Sequence, residues 1–233
     1  MYPTVAVSTL SVHLREQWDN PRVTTPETPL RADARRNRDQ ILVAAREIFA
    51  ERGADVAMEE IARRASVGVG TLYRRFADRE ALIRAVFHDT FQAVSEETQA
   101  ALDEEPTGWA ALLRIMRQSA WLHVSVQVKS PRVTAVVKAD PETRRLRDHL
   151  LDMIDEAVRR AQAEGTLRRD VGVGDIATLF MSVVHHPGHA ITAEASGLAP
   201  GRVLAIMMEG LRAPASGELP GRPLTRTDLD FTN

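Results

Sequence analysis

Apolar residues recur along most of this chain at the three- and four-residue spacing of an amphipathic helix, and the alternation expected of a strand is nearly absent. From about Asp33 the residues Ile41, Leu42, Ala45, Ile48 and Phe49 fall on one face, and Gly53 closes the run as a left-handed cap. Two short helices follow. Ile61, Ala62 and Ala65 mark the first, Ser66-Val67-Gly68 form a turn, and the second reads Val69-Gly70-Thr71-Leu72-Tyr73-Arg74-Arg75-Phe76 with Leu72 and Phe76 as its apolar face. Asp78 then caps a long fourth helix carrying Leu82, Ile83, Val86, Phe87, Phe91 and Val94 and running toward Leu102.

Glu104, Glu105, Pro106 and Gly108 interrupt the pattern before a fifth helix through Trp109, Leu112, Leu113, Ile115, Met116 and Leu122. Val124, Val126 and Val128 alternate like a strand and leave its end open, and a short segment begins at Ser130-Pro131. Asp140-Pro141-Glu142 opens the most clearly signalled helix, with an N-cap acid, proline at the first helical position and an acidic first turn. Leu146, Leu150, Met153, Ile154, Ala157, Val158 and Ala161 form its stripe, and Gly165 stops it. Two more apolar helices are predicted, through Ile176, Leu179, Phe180, Val183 and Val184 and through Val203, Leu204, Ile206, Met207, Met208 and Leu211, with a loop of Pro, Gly and Ala between them. The reading is an all-α chain without internal repeats. It divides into a flexible proline-bearing arm at 1–30, a helix-turn-helix head at 31–78, a larger helical domain at 79–212 and a disordered tail at 213–233.

Length and a 44% hydrophobic content are enough for a sizeable core. The absence of cysteine removes disulfides, thiolate nucleophiles and cysteine-based zinc fingers together, and fits a reducing cytoplasm. With no charged start ahead of an apolar stretch and no run long enough to span a bilayer, a cytoplasmic protein without membrane contact is expected. The net charge of −2 is uneven: residues 31–85 hold 12 arginines against 9 acidic residues, so the basic excess coincides with the helix-turn-helix.

A helix-turn-helix presents the start of its second helix to base edges in the major groove while the first lies across the backbone. One such head makes too few contacts to find a single site in a genome, so a homodimer on double-stranded DNA is expected. Competing chemistries find little support. The chain lacks a Glu-x-x-His pair, a P-loop, a nucleophile elbow and a zincin helix, and Gly68-Val69-Gly70 follows a helix, not a strand, which leaves a cofactor-binding helical enzyme or a protein-docking module as the alternatives. His185, His186 and His189 are close enough in sequence to suggest a metal, but Pro187 breaks the helix that would align them, so neither metal nor cofactor is expected.

These residues resemble the TetR family of one-component bacterial transcription regulators. The likeness runs from about Arg38 to Leu82: Arg38-Asp39-Gln40-Ile41-Leu42, Phe49-Ala50-Glu51-Arg52-Gly53, Ile61-Ala62, Gly70-Thr71-Leu72-Tyr73 with Phe76, and Arg79-Glu80-Ala81-Leu82. A weaker echo is Gly165-Thr166-Leu167-Arg168-Arg169-Asp170 ahead of Asp175-Ile176. The resemblance implies a three-helix DNA-binding head joined through helix four to an all-α domain that binds a small effector and dimerises, most often as a repressor released from a palindromic operator. It implies that Tyr73 places its hydroxyl on a phosphate, that Gly70 lets the backbone approach the duplex, and that Thr71 meets phosphate or a thymine methyl. Val69 and Arg74 are the candidates for base edges, Arg75 for base or phosphate, and Arg36, Arg38 and Arg79 for flanking phosphates. Ala57 stands where the family usually caps helix two with Thr or Ser, so a cap is lost unless Asp55 substitutes, and Ser66 stands where the turn usually has Gly, which implies either a turn without positive φ at that position or a small strain.

By the same resemblance, Phe91, Trp109, Met116, Trp121, His123, Met153, Phe180 and His185 lie on the helices that enclose an effector and would suit a lipophilic or aromatic ligand. Leu179, Val183, Leu204, Met207, Met208 and Leu211 would form a four-helix dimer interface.

Overall fold

The computed structural model describes residues 29–124, 131–184, 193–214 and 217–229. Among these, nine α-helices carry the fold: α1 Pro29–Arg52, α2 Met58–Arg64, α3 Val69–Arg75, α4 Arg79–Glu104, α5 Gly108–Val124, α6 Pro131–Ala139, α7 Pro141–Ala163, α8 Val173–Val184 and α9 Ala193–Gly210, followed by a 3₁₀ turn at Arg226–Asp228. No strand forms among the described residues; one antiparallel bridge pairs Leu167 with Arg212. The all-α expectation holds. The arm expected at 1–30 lies outside the described residues apart from its last two, which already belong to α1, and the valines at 126 and 128 also fall outside them.

Two apolar cores organise these helices. The first gathers Ile41, Leu42, Ala45, Ile48 and Phe49 of α1 with Met58, Ile61 and Ala62 of α2, Leu72 of α3, Phe76 at the end of α3 and Leu82, Ile83 and Val86 of α4. Each helix contributes the stripe its sequence spacing predicts. The second joins Val94, Ala101 and Leu102 of α4 to Leu112, Ile115 and Met116 of α5, Met153, Ala157 and Val158 of α7, Ile176 of α8 and Leu204, Met208 and Leu211 of α9. Helix α4 therefore runs through both. Val133 and Val136 of α6 enter the first core, so the head's apolar interior reaches beyond the 31–78 boundary that the sequence suggested.

The predicted caps are in place where the sequence is explicit. Asp78 accepts from the Ala81 N–H at 2.7 Å, and Asp140 accepts from the N–H and hydroxyl of Thr143 at 2.8 and 2.7 Å. Helix α7 ends in a Schellman motif on Gly165, where Gly165 N–H meets Gln162 O and Thr166 N–H meets Ala161 O. Helix α9 differs from expectation: it begins at Ala193 and continues through Pro200 and Gly201, which the sequence reading had assigned to a loop. Three alanines, Glu194 and Leu198 among the seven residues before that proline are strong helix formers and outweigh Ser196 and Gly197.

The tail is a second departure. Residues 217–229 lie as a strap across the body instead of remaining disordered from Pro214. Leu224 donates its N–H to Asp175 and accepts from the Gly174 N–H, both at 3.0 Å. Leu219 N–H reaches Asp170 at 2.8 Å, and Arg226 pairs with Asp148 at 3.2 Å and with Asp152. The backbone at Gly172 and Gly174 lies so close to Leu224 that a Cβ would sit 2.2 and 2.7 Å from its backbone atoms. Composition pointed to disorder because it cannot register side-chain and backbone partners some 50 residues away in the chain.

Candidate nucleic-acid interface

Helices α2 and α3 meet through a turn that the sequence marks by Ser66. Ser66 adopts φ 55°, its N–H meets Arg63 O and the Val67 N–H meets Ala62 O, so α2 ends in a Schellman motif with serine where glycine is easiest. Of the two alternatives for this turn, the positive φ is the one adopted. Ala57 precedes α2 with no side-chain cap, and Asp55 does not replace it.

The turn orients α3 so that Leu72 is fully buried while the opposite side faces solvent. Val69 is 38% and Tyr73 43% exposed, which places Tyr73 on the surface and not in the core. Gly70, Arg74 and Arg75 are exposed beside them, and Thr71 is half-buried. Neither Arg74 nor Arg75 has a charged partner among the described residues, whereas most arginines of the head do. One apolar side chain, a phenol and two guanidiniums without a charged partner among the described residues thus occupy one outward face. Such a face fits groove edges and phosphates.

The three flanking arginines behave differently. Arg36 is exposed and pairs with Asp33 one turn earlier. Arg38 lies 3.6 Å from Asp39 and 3.9 Å from Asp89, and Arg46 shares Asp89 at 3.1 Å. Arg79 turns inward: its Nη1 donates to Ala54 O at 2.6 Å and to Val56 O. Arg79, expected to meet a flanking phosphate, thus has its guanidinium on the loop between α1 and α2.

In the body, Phe91, Trp109, Met116, Met153 and Phe180 come together in or against the second core. The side chains of Trp121 and His123, and His185 with the other two histidines of its cluster, lie outside the described residues. Trp109 is covered by the Arg212 guanidinium at 4.7 Å from the ring centre. Open hollows of about 510 and 350 Å³ are lined by Gln162, Arg168, Arg169 and Glu218 and by Leu113, Arg114, Arg117 and Gln118, and none of the five described effector candidates borders either one. Among the described residues three buried polar atoms, Ser95 Oγ, Trp109 Nε1 and Gln118 Oε1, have no hydrogen-bond partner. Residue types alone gave no signal for the orphaned Ser95 and Gln118, because burial of a polar atom depends on its neighbours across the helix interface.

The predicted dimer residues divide. Leu204, Met208 and Leu211 are buried in their own protomer, Met207 and Leu179 are half-buried, and the Val183 side chain lies outside the described residues. The outward apolar positions of α9 are instead Val203 and Ile206, 44% and 66% exposed. Among the described residues no three groups could hold a metal, and no helix is long and apolar enough to cross a membrane.

Comparison with known proteins supplies independent findings. Residues 41–86 match the family model described as bacterial regulatory proteins, tetR family, and residues 107–213 match the C-terminal domain of SbtR-like transcriptional regulators. A TetR transcription regulatory protein of Mycobacterium vanbaalenii is 32% identical and has a TM-score of 0.58, covering 79% of this chain and 100% of its own. A TetR transcriptional regulator of Streptomyces coelicolor is 29% identical at the same TM-score, with 76% and 99% coverage. The HTH-type transcriptional regulator UidR of Escherichia coli K12 is 28% identical over 208 residues, 82% of this chain and 96% of that protein.

Proposed function

We propose, on the premise that this chain belongs to the TetR family of bacterial regulatory proteins, that it is a dimeric repressor whose grip on a palindromic operator is set by a small apolar effector. Membership makes it a DNA-binding transcription regulator and not an enzyme. The observation that carries the finer reading is the outward face of α3, where Val69, Tyr73, Arg74 and Arg75 stand exposed above a buried Leu72. In this reading Tyr73 bonds a phosphate, Gly70 and Thr71 let the backbone come close, Val69 and Arg74 read bases, and Arg75, with Arg36 and Arg38 released from their surface acids, meets phosphate. Two heads bind half-sites about 34–36 Å apart, one turn of the duplex. Work on chromosomal DNA places the protein in the cytoplasm.

Helices α8 and α9 form the dimer face, with Val203 and Ile206 at its centre, replacing the inward Leu204, Met208 and Leu211. The effector enters between α4, α5 and α7 beside Phe91, Met116, Met153 and Phe180, and the orphaned Ser95 and Gln118 atoms bind its polar group. An unpartnered buried acceptor costs about 1–3 kcal/mol, which a bound hydroxyl or N–H recovers.

The test is fluorescence anisotropy on a palindromic duplex selected from a random library. Operator affinity should fall with salt at a log–log slope of about −0.9 per phosphate contacted. Tyr73→Phe should weaken operator and random DNA alike, and Arg74→Ala should relax one operator position at about 1–3 kcal/mol of discrimination. Salt-independent binding, or both variants indistinguishable from the parent, would refute the contact assignment.

A further inference from the structure

The start of α2 has no side-chain cap, because the Ala57 side chain carries no acceptor. What holds this corner comes from elsewhere in the chain. Arg79, the first residue of α4, sends its guanidinium back to the loop ahead of α2, where Nη1 donates to Ala54 O and to Val56 O. Both ends of this link are rigid. Asp78 caps α4 through the Ala81 N–H, so the backbone carrying Arg79 is fixed, and Ala54 is buried in the head's core with Val56 packed against it.

We infer that Arg79 is a positioning residue for DNA reading, setting the angle at which α2, and through the Ser66 turn α3, is presented to the groove. The inference rests on α3 as the reading helix. Charge-assisted bonds to two carbonyls fix direction as well as distance, and the planar guanidinium loses less freedom in making them than an ammonium would. Through Arg79, the long helix that passes into the body is joined directly to the loop from which α2 departs. A tilt of α4 therefore moves the start of α2, with no need to pass through the soft apolar contacts of the core. A phosphate-binding arginine contributes equally on any sequence, whereas one that aims the reading helix matters most where register matters.

Salt dependence separates these roles. The parent is first titrated with salt on the selected palindromic duplex and on a random duplex, which checks the reading of α3 before any variant is compared. Arg79→Ala and Arg79→Gln then follow, all well below their melting temperatures, with the folded fraction measured by circular dichroism. Arg79→Ala should lower operator affinity tenfold or more and random-duplex affinity less than twofold, at an unchanged salt slope. Arg79→Gln, neutral but still able to donate to one carbonyl, should restore most of the operator preference, and it carries the test if the alanine variant does not fold. A slope shallower by about 0.9 with equal losses on both duplexes would identify a phosphate contact and overturn the inference. An unchanged operator-to-random ratio, with losses tracking only the folded fraction, would overturn it as well.

Discussion

Ala57 opens α2 at φ −59° and ψ 141°, the extended geometry from which a threonine or serine caps a helix, yet it leaves the first N–H groups of α2 without a side-chain acceptor. Ala57→Thr should therefore raise stability by about 1 kcal/mol, read as a higher urea midpoint at unchanged m-value, and should tighten operator binding if the new hydroxyl also meets a phosphate. Ser66 is the companion case. Its left-handed φ of 55° costs about 1–2 kcal/mol that glycine would avoid, and glycine costs about 0.5–1 kcal/mol in chain entropy, so Ser66→Gly should gain roughly 0.5–1 kcal/mol. Both positions were legible in the sequence, because a cap and a left-handed turn call for particular residue types and their substitutes stand out. Arg79 was not. A guanidinium suits a phosphate, an acid or a carbonyl equally, and the choice was made by a loop 25 residues earlier folding back within reach.

At the scale of elements, α4 changes cores between Phe87, packed on the head, and Phe91, packed on the body. The intervening residues form a polar band. His88 Nε2 meets Asp140 Oδ2 at 2.6 Å, Asp89 holds Arg46 of α1, and the Thr90 hydroxyl donates to Val86 O. Since Asp140 also caps α7 and the neighbouring α6 sends Val133 and Val136 into the head, this band fastens the α6–α7 corner to the head. Burial pushes the Asp140 carboxyl up, but bonds from His88 and Thr143 outweigh it and hold it below its ordinary 3.8. A depressed carboxylate contributes fully above that ordinary value and loses its contribution as pH falls below it. Asp140→Asn should thus cost about 2 kcal/mol at pH 7, and urea melts toward pH 3 should show the gap to the parent closing. Helix α7 was readable because Asp140-Pro141 and Gly165 mark both its ends. Helix α6 was not, since nine residues are too few for its valines to reveal a period.

The whole molecule is expected to work as a pair, and the outward side of α9 carries that expectation. Apolar residues at 203, 204, 206, 207, 208 and 211 run nearly all round this helix, which signals burial on two sides without saying which side belongs to which partner. Within the protomer Leu204, Met208 and Leu211 are buried, whereas Val203 and Ile206 are exposed. Ile206→Glu should halve the mass found by sedimentation equilibrium and sharply reduce operator affinity, while the secondary structure of each protomer stays intact. The strap at 217–229 has a different consequence. Its bonds join residues 49 and 74 positions apart, so on loop-closure grounds they are expected to form late in folding. Interactions absent from the transition state act on the escape rate, not on the rate of return. The strap is therefore a latch on lifetime: Gly172→Ala, which forces it off Leu224, should steepen the loss of native protein with time and leave the refolding limb of a chevron nearly where it was.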